Sequence, residues 1–125
     1  MTAHLAATAY AHAARQTAEP RSAEAQALAR VNAHLAEARR RGRADMPMLA
    51  DAVHRNAQLW TLFATDAAGD GNALPEAARA AIVSLALHVH RTGRAALRGE
   101  DTLGALVEIN DILLAGLETP ARAAA

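Results

Sequence analysis

The stretch NAQLWTLFATDAAGDGNALPEAARAAIVSLALHV, residues 56–89, joins an aromatic helix end to a long apolar helix through a loop rich in Gly, Asn and Pro. It holds the one Trp and the one Phe of the chain. Just upstream, Pro47 opens a third helix predicted to run to about Asp66. Leu49, Ala52, Val53, Asn56, Leu59, Trp60 and Phe63 share one face of it at the α-helical period. Asn56 lies in the middle of that stripe. A buried amide without partners costs about 1–3 kcal/mol, so Asn56 is predicted to tie down a neighbouring backbone or side chain. Gly69-Asp70-Gly71-Asn72 interrupts the helix, and Pro75 with Glu76 restarts it as helix N-termini prefer. The fourth helix is predicted to end near Arg98, capped by Gly99, with Ala78, Ala81, Ile82, Leu85, Ala86 and Val89 as its core stripe. Val83 and Leu87 point the other way and suggest a second contact.

Working outward, Thr2 to Gln16 is compatible with a weakly amphipathic first helix whose one bulky anchor is Tyr10. It is predicted to be loosely held, within residues 1–20, or to depend on a partner. Pro20 ends it, and Ser22 starts a second helix to about Arg41 with the stripe Leu28, Val31, Leu35 and Ala38. Arg39, Arg40, Arg41 and Arg43 surround Gly42. The favoured reading is a helix C-terminus, where arginines face the negative end of the dipole and glycine supplies a left-handed cap. The alternative is a phosphate or RNA patch, against which stand the neutral chain and the lack of a nearby aromatic to stack on a base.

On the other side, Asp101 and Thr102 start a fifth helix that ends near Gly116 and Leu117, with Pro120 beyond. Leu103, Leu106, Val107, Leu113, Leu114 and Leu117 form one face with Asn110 at its centre. Ala105, Ile109, Ile112 and Gly116 form a second, leaving Glu108 and Asp111 to meet water. A helix so apolar is either sandwiched between others or incompletely covered. Residues 118–125 read as a flexible tail. The whole, residues 1–125, reads as one all-α domain: an antiparallel bundle of four main helices plus a short N-terminal helix.

Composition narrows the functional classes. Thirteen basic residues, every one an arginine, balance 13 acidic ones, so no net field draws the chain to DNA, RNA or an anionic membrane. No cysteine is present, which removes disulfides, thiolate metal sites and a thiol nucleophile. The longest apolar run, Ala80 to Leu87, is too short for a bilayer, and the start lacks a signal-peptide pattern, so a cytoplasmic protein is predicted. Among the six histidines, His88 and His90 are two apart and diverge on a helix, while His4 and His12 lack a third ligand, so no metal site is assigned. Glu108 with Asp111 reads as a solvated face, and Ser84 sits in no elbow motif. The 68–72 loop has no P-loop lysine, so no cofactor and no catalysis are predicted.

Several segments together resemble the flagellar biosynthesis regulator FlaF family of alphaproteobacteria. They are Ala9-Tyr10-Ala11, Arg15-Gln16-Thr17-Ala18-Glu19-Pro20-Arg21, Asn56-Ala57-Gln58-Leu59-Trp60-Thr61, Asn72-Ala73-Leu74-Pro75, Ser84-Leu85-Ala86, and Glu108-Ile109-Asn110 through Gly116-Leu117. The resemblance spans Ala9 to Leu117. Ala57 and Gln58 stand where members often carry basic residues, and His88 where an aromatic is common. The resemblance implies a non-enzymatic cytoplasmic factor for flagellin production, secretion and filament assembly. It would work with a companion flagellin translation regulator and engage flagellin itself as a chaperone. Amphipathic terminal helices of flagellin suit a groove between apolar helices. Trp60, Val83, Leu87, Ile109 and Ile112 are the candidate partner-binding residues, and Asn56 and Asn110 the structural polar anchors. The alternatives are an RNA-binding regulator of flagellin message through Arg39 to Arg43, and a homodimeric interaction module closed by the surplus surface of the fifth helix.

Overall fold

A computed structural model of the chain describes residues 3–17, 23–69 and 74–118. Five α-helices, α1 (Ala3–Thr17), α2 (Ala23–Arg41), α3 (Met46–Ala68), α4 (Glu76–Leu97) and α5 (Leu103–Glu118), account for nearly all of them. A 3-10 turn, Gly42–Asp45, links α2 to α3. No strand occurs among the described residues, so the domain is all-α. Helix α5 extends through Glu118; residues 119–125 of the predicted tail, Pro20, Ser22 and residues 70–73 of the predicted loop lie outside the described residues.

The helix ends follow from local chemistry. Gly42, at φ 66°, ends α2 in the left-handed region and leaves its arginines at the negative end of the dipole. Asp45 then caps α3, its carboxylate accepting from the Met48 N–H at 3.2 Å with Pro47 in the first turn. Arg79 closes the other end of α3 by donating to the Ala67 and Gly69 carbonyls. Gly99, at φ 105°, ends α4. Thr102, predicted to start α5 as a cap, instead donates its hydroxyl to the Thr92 carbonyl at 2.9 Å, fastening the α4–α5 turn to α4.

The helices form a ring in the order α3, α4, α1, α5, α2 and back to α3. Paired contacts give the directions. Thr61 meets His90 and Arg79 meets Ala67, so α3 and α4 are antiparallel. Asn32 meets Asp111 and Arg39 lies on Gly104, so α2 and α5 are antiparallel too. In contrast, His4 meets Glu108 and Ala11 meets Gly116, so α1 runs parallel to α5. The predicted antiparallel order concerned the four main helices, and the pairs α3–α4 and α2–α5 follow it; α1, the N-terminal addition, supplies the parallel pair. A ring of five cannot alternate throughout, and one parallel pair is the geometric consequence.

Helix α1 enters the ring between α4 and α5, which are neighbours in sequence yet share the smallest interface of any two touching α-helices. Its described buried side chains are Ala6, Ala7 and Ala11, with Tyr10 half-buried. Each alanine methyl is worth roughly 0.8 kcal/mol, against roughly 1.5–3 kcal/mol for each large apolar side chain buried elsewhere. Those larger groups, Leu28, Leu35, Trp60, Ile82, Leu85, Leu106, Ile109 and Leu113, fill the centre of the ring.

The predicted stripes of α3 and α4 are buried except Leu59, which is half-buried. In α2 the structure exchanges Val31 for Asn32, whose amide donates to Asp111 at 2.7 Å. In α5 it exchanges Val107 and Leu114, both half-buried, for Ile109. The reason is α1: it covers the side of α5 that carries Ile109, Ile112 and Gly116, so the core face of α5 turns toward it.

Candidate functional site

At the centre of the ring lies a polar chain in an apolar setting. The Trp60 indole N–H donates to Asn110 Oδ1 at 3.0 Å, and the Asn110 amide donates to Asn56 Oδ1 at 2.9 Å. All three side chains are closed to solvent. Helices α3 and α5 face each other across the ring and do not otherwise approach closely, so this chain is what joins them. The partner required by Asn56 is Asn110, and each of these amides satisfies a buried group that would otherwise be orphaned. Phe63 packs edge-on against Trp60 with ring centres 5.5 Å apart.

The candidate partner-binding residues fall in different places. Trp60, 0% exposed, and Ile109, 2% exposed, are inside the ring and line neither of the two clefts described next. The two large side chains are where the core is thickest, and α1 seals the side of α5 from which Ile109 would have been reached. Ile112 is half-buried. Val83 is half-buried and Leu87 is 57% exposed, and both line a shallow groove of about 540 Å³ between the end of α3 and α4. Ala67, Ala68 and Ala80 complete its apolar wall, with the polar Ser84 beside them and Glu76 and Arg79 at one end. Leu62 on α3 is also exposed, at 65%. A second cleft of about 180 Å³ lies between Ala3 and Ala6 of α1 and Ala81, Ser84, Leu85 and His88 of α4. Ser84 borders both.

The titratable groups are dispersed along the helix seams. His4 meets Glu108 at 3.4 Å, His34 meets Asp51 at 3.4 Å, and His90 meets the Thr61 hydroxyl at 2.9 Å, each across a different pair of helices. The side chain of His12 lies outside the described residues. Among the described residues no group of three His, Cys, Asp or Glu side chains could hold a metal ion. Glu108 and Asp111 are held by different neighbours, His4 and Asn32. Tyr10 is pushed up to about 12 by burial first, then by the negative charges of Asp66 and Glu24.

The arginine cluster is largely spoken for. Arg40 and Arg41 both bond Glu37, and Arg41 also reaches Asp45 at 3.1 Å. Glu37 is held down at about 2 by its hydrogen bonds from Arg40 and Arg41. Arg43 donates to the Ala96 carbonyl at 3.4 Å. Arg39 lies over Gly104, where an added Cβ would meet its guanidinium at 3.0 Å. These contacts draw the guanidinium groups onto the helix ends, so the cluster does not present four free charges to a phosphate backbone.

No described helix is long and apolar enough to cross a membrane. Comparison with curated proteins and with solved structures gives no match. The family model described as flagellar protein FlaF matches residues 6–117, from the buried alanines of α1 to the last core leucine of α5. The match takes in the Trp60–Asn110–Asn56 chain and the groove between α3 and α4, and on it the chain belongs to the FlaF family of flagellar proteins.

Proposed function

We propose that this chain is a cytoplasmic, non-enzymatic regulator that supports flagellin production and filament assembly by binding flagellin before export. The observation that carries the reading is the α3–α4 groove, where Val83 and Leu87 leave apolar surface on an alanine-rich wall. A groove of this kind receives the apolar face of an amphipathic helix, and the terminal helices of flagellin before polymerisation are such segments. The family to which the chain belongs supplies the flagellar context. Binding through this wall would keep those helices from pairing early, and the companion translation regulator would sense whether the wall is occupied.

The test is calorimetric titration of purified monomeric flagellin into the full-length chain and into Leu87→Glu. The exposed position of Leu87 lets the variant fold, so its circular dichroism should match the parent. Binding by the parent and a loss of about tenfold or more in the variant is the result expected. A parent that binds no flagellin overturns the reading. RNA binding by the parent that is lost on replacing Arg39 and Arg43 would hand the function to the message-binding alternative.

A further inference from the structure

Resting on the flagellin reading, we infer that the slot filled by α1 is the seat of the client helix, and that an amphipathic helix of flagellin enters by displacing α1 and lying along α5 in its place. Three features of the slot point to this. The first is position. Helix α1 wedges between α4 and α5, which touch each other least of any two neighbouring helices, so its removal opens a trough instead of collapsing a core. The trough would be floored by Ile109 and Ile112 of α5 and Leu85 of α4, the apolar surface that α1 now covers.

The second is fit. Helix α1 fills its own slot incompletely: Ala3 and Ala6 leave the cleft of about 180 Å³ against Ala81, Ser84, Leu85 and His88. A helix with larger side chains at those two positions would fill it. Ser84 is shared with the Val83–Leu87 groove, so a client in the slot would reach the edge of that groove, which α1 leaves open. At the other edge the slot is demanding. A Cβ added to Gly116 would come within 2.2 Å of Ala11 Cβ, so the client must present Ala, Gly or Ser there. The occupant is thus specified as a helix with small residues on the α5 side and larger side chains on the α4 side, where Ser84, His88 and Arg91 stand beside Leu85.

The third is the latch. Among the contacts of α1 with α5 are the Ala11 methyl against Gly116 and the exposed pair His4–Glu108 at 3.4 Å. An exposed pair of this kind holds little. A client competing with α1 meets a reduced apparent affinity set by the fraction of chains in which α1 is out, and anything that loosens α1 removes that reduction.

The chain has no cysteine, so His4→Cys/Glu108→Cys can be joined selectively by a short, cleavable bismaleimide in the full-length protein. Flagellin affinity is measured with the linker intact and again after its cleavage, and separately for Ala11→Leu, whose added bulk cannot sit against Gly116. The expected results are about tenfold weaker binding with the linker intact, recovery on cleavage, and about threefold or more tighter binding by Ala11→Leu than by the parent. Equal binding by the linked and cleaved forms overturns the inference while leaving flagellin bound at another face. No binding by any form, the parent included, overturns the flagellin reading along with it. A dimer of Ala11→Leu that refuses flagellin in sedimentation would assign the slot to a second copy, and also overturns it.

Discussion

Helices α3 and α1 both lie against the rest of the ring along most of their length, and they do it by opposite means. The α3 interface is built from Leu49, Val53, Trp60 and Phe63 and is locked by two buried hydrogen bonds in series through Asn110. The described α1 interface is built from Ala6, Ala7 and Ala11 with Tyr10 half-buried beside them, and includes the exposed ionic contact His4–Glu108. Close approach of backbones gives α1 a good geometric fit, because Gly116 admits Ala11, but little apolar area leaves water. The two interfaces teach that fit and strength are separate. One helix can be well placed and still be the part that exchanges.

The largest expected effect falls on the α3 side. Trp60→Ala removes the biggest buried group and should cost about 3–5 kcal/mol. Asn110→Ala leaves the Trp60 indole N–H without its acceptor and Asn56 Oδ1 without its donor, and should cost about 3 kcal/mol. Both are read as a lower denaturation midpoint at unchanged slope. If Asn110→Ala proves neutral, the polar chain does not hold α3 to α5, and the contrast with α1 loses its basis.

Next comes Ala11→Leu. Forced overpacking costs about 1–3 kcal/mol where it cannot be relieved, but α1 can relieve it by leaving the slot. The signature is therefore regional: amide exchange accelerates in residues 3–11 and along the uncovered side of α5, while α3 stays protected. Should α3 lose protection in step with α1, the chain opens as one unit and α1 is no separable layer.

Alkaline pH probes another part of α1 with less force, since Tyr10 feels Asp66 of α3 and Glu24 of α2. An unfolded tyrosine loses its proton near 10.0, whereas in the fold Tyr10 keeps it to about 12. The stabilisation is therefore present in full below pH 10, declines between pH 10 and 12, and is gone above. With Tyr10 only partly buried, about 1–2 kcal/mol is a fair size. Neither lysine nor cysteine titrates in that window, since the chain has none. Tyr10 is also the one tyrosine, so tyrosinate absorbance reports it alone. Tyr10→Phe should remove the decline.

The parts of this structure that were legible in the sequence are those set by periodicity and punctuation. The stripe from Leu49 to Phe63 repeats at the helical spacing, and Gly42 and Gly99 mark helix ends by conformations that other residues avoid. Asn56 announced a need for a partner by its place in the stripe. Its partner was not readable, because the pairing with Asn110 depends on which helices stand across the ring. The same gap explains Ile109 and Trp60. Spacing marks Ile109 as lying off the main stripe of α5, but whether that side meets water depends on α1 arriving from about 100 positions away in the chain. Tertiary position, which no local pattern encodes, decided which of the candidate partner-binding residues are reachable. A signal for it was present in the alanine spacing of Ala7 and Ala11, small residues four apart that match Gly116.

The smallest expected effect lies where neither interface is involved, and it serves as the control. Glu37 is held at about 2, against an ordinary 4.5, by hydrogen bonds from Arg40 and Arg41 at the end of α2. The stabilisation it supplies is complete above pH 4.5 and is lost as the pH falls from 4.5 to 2. Water screens so exposed a group, so the loss is minor beside those above. Glu37→Gln should abolish that part of the acid dependence and alter amide exchange only around Arg40 to Asp45, leaving residues 3–11 as protected as in the parent. If protonating Glu37 instead released α1, the end of α2 would be coupled to the slot, and α1 would be governed through the frame and not by its own alanine contacts.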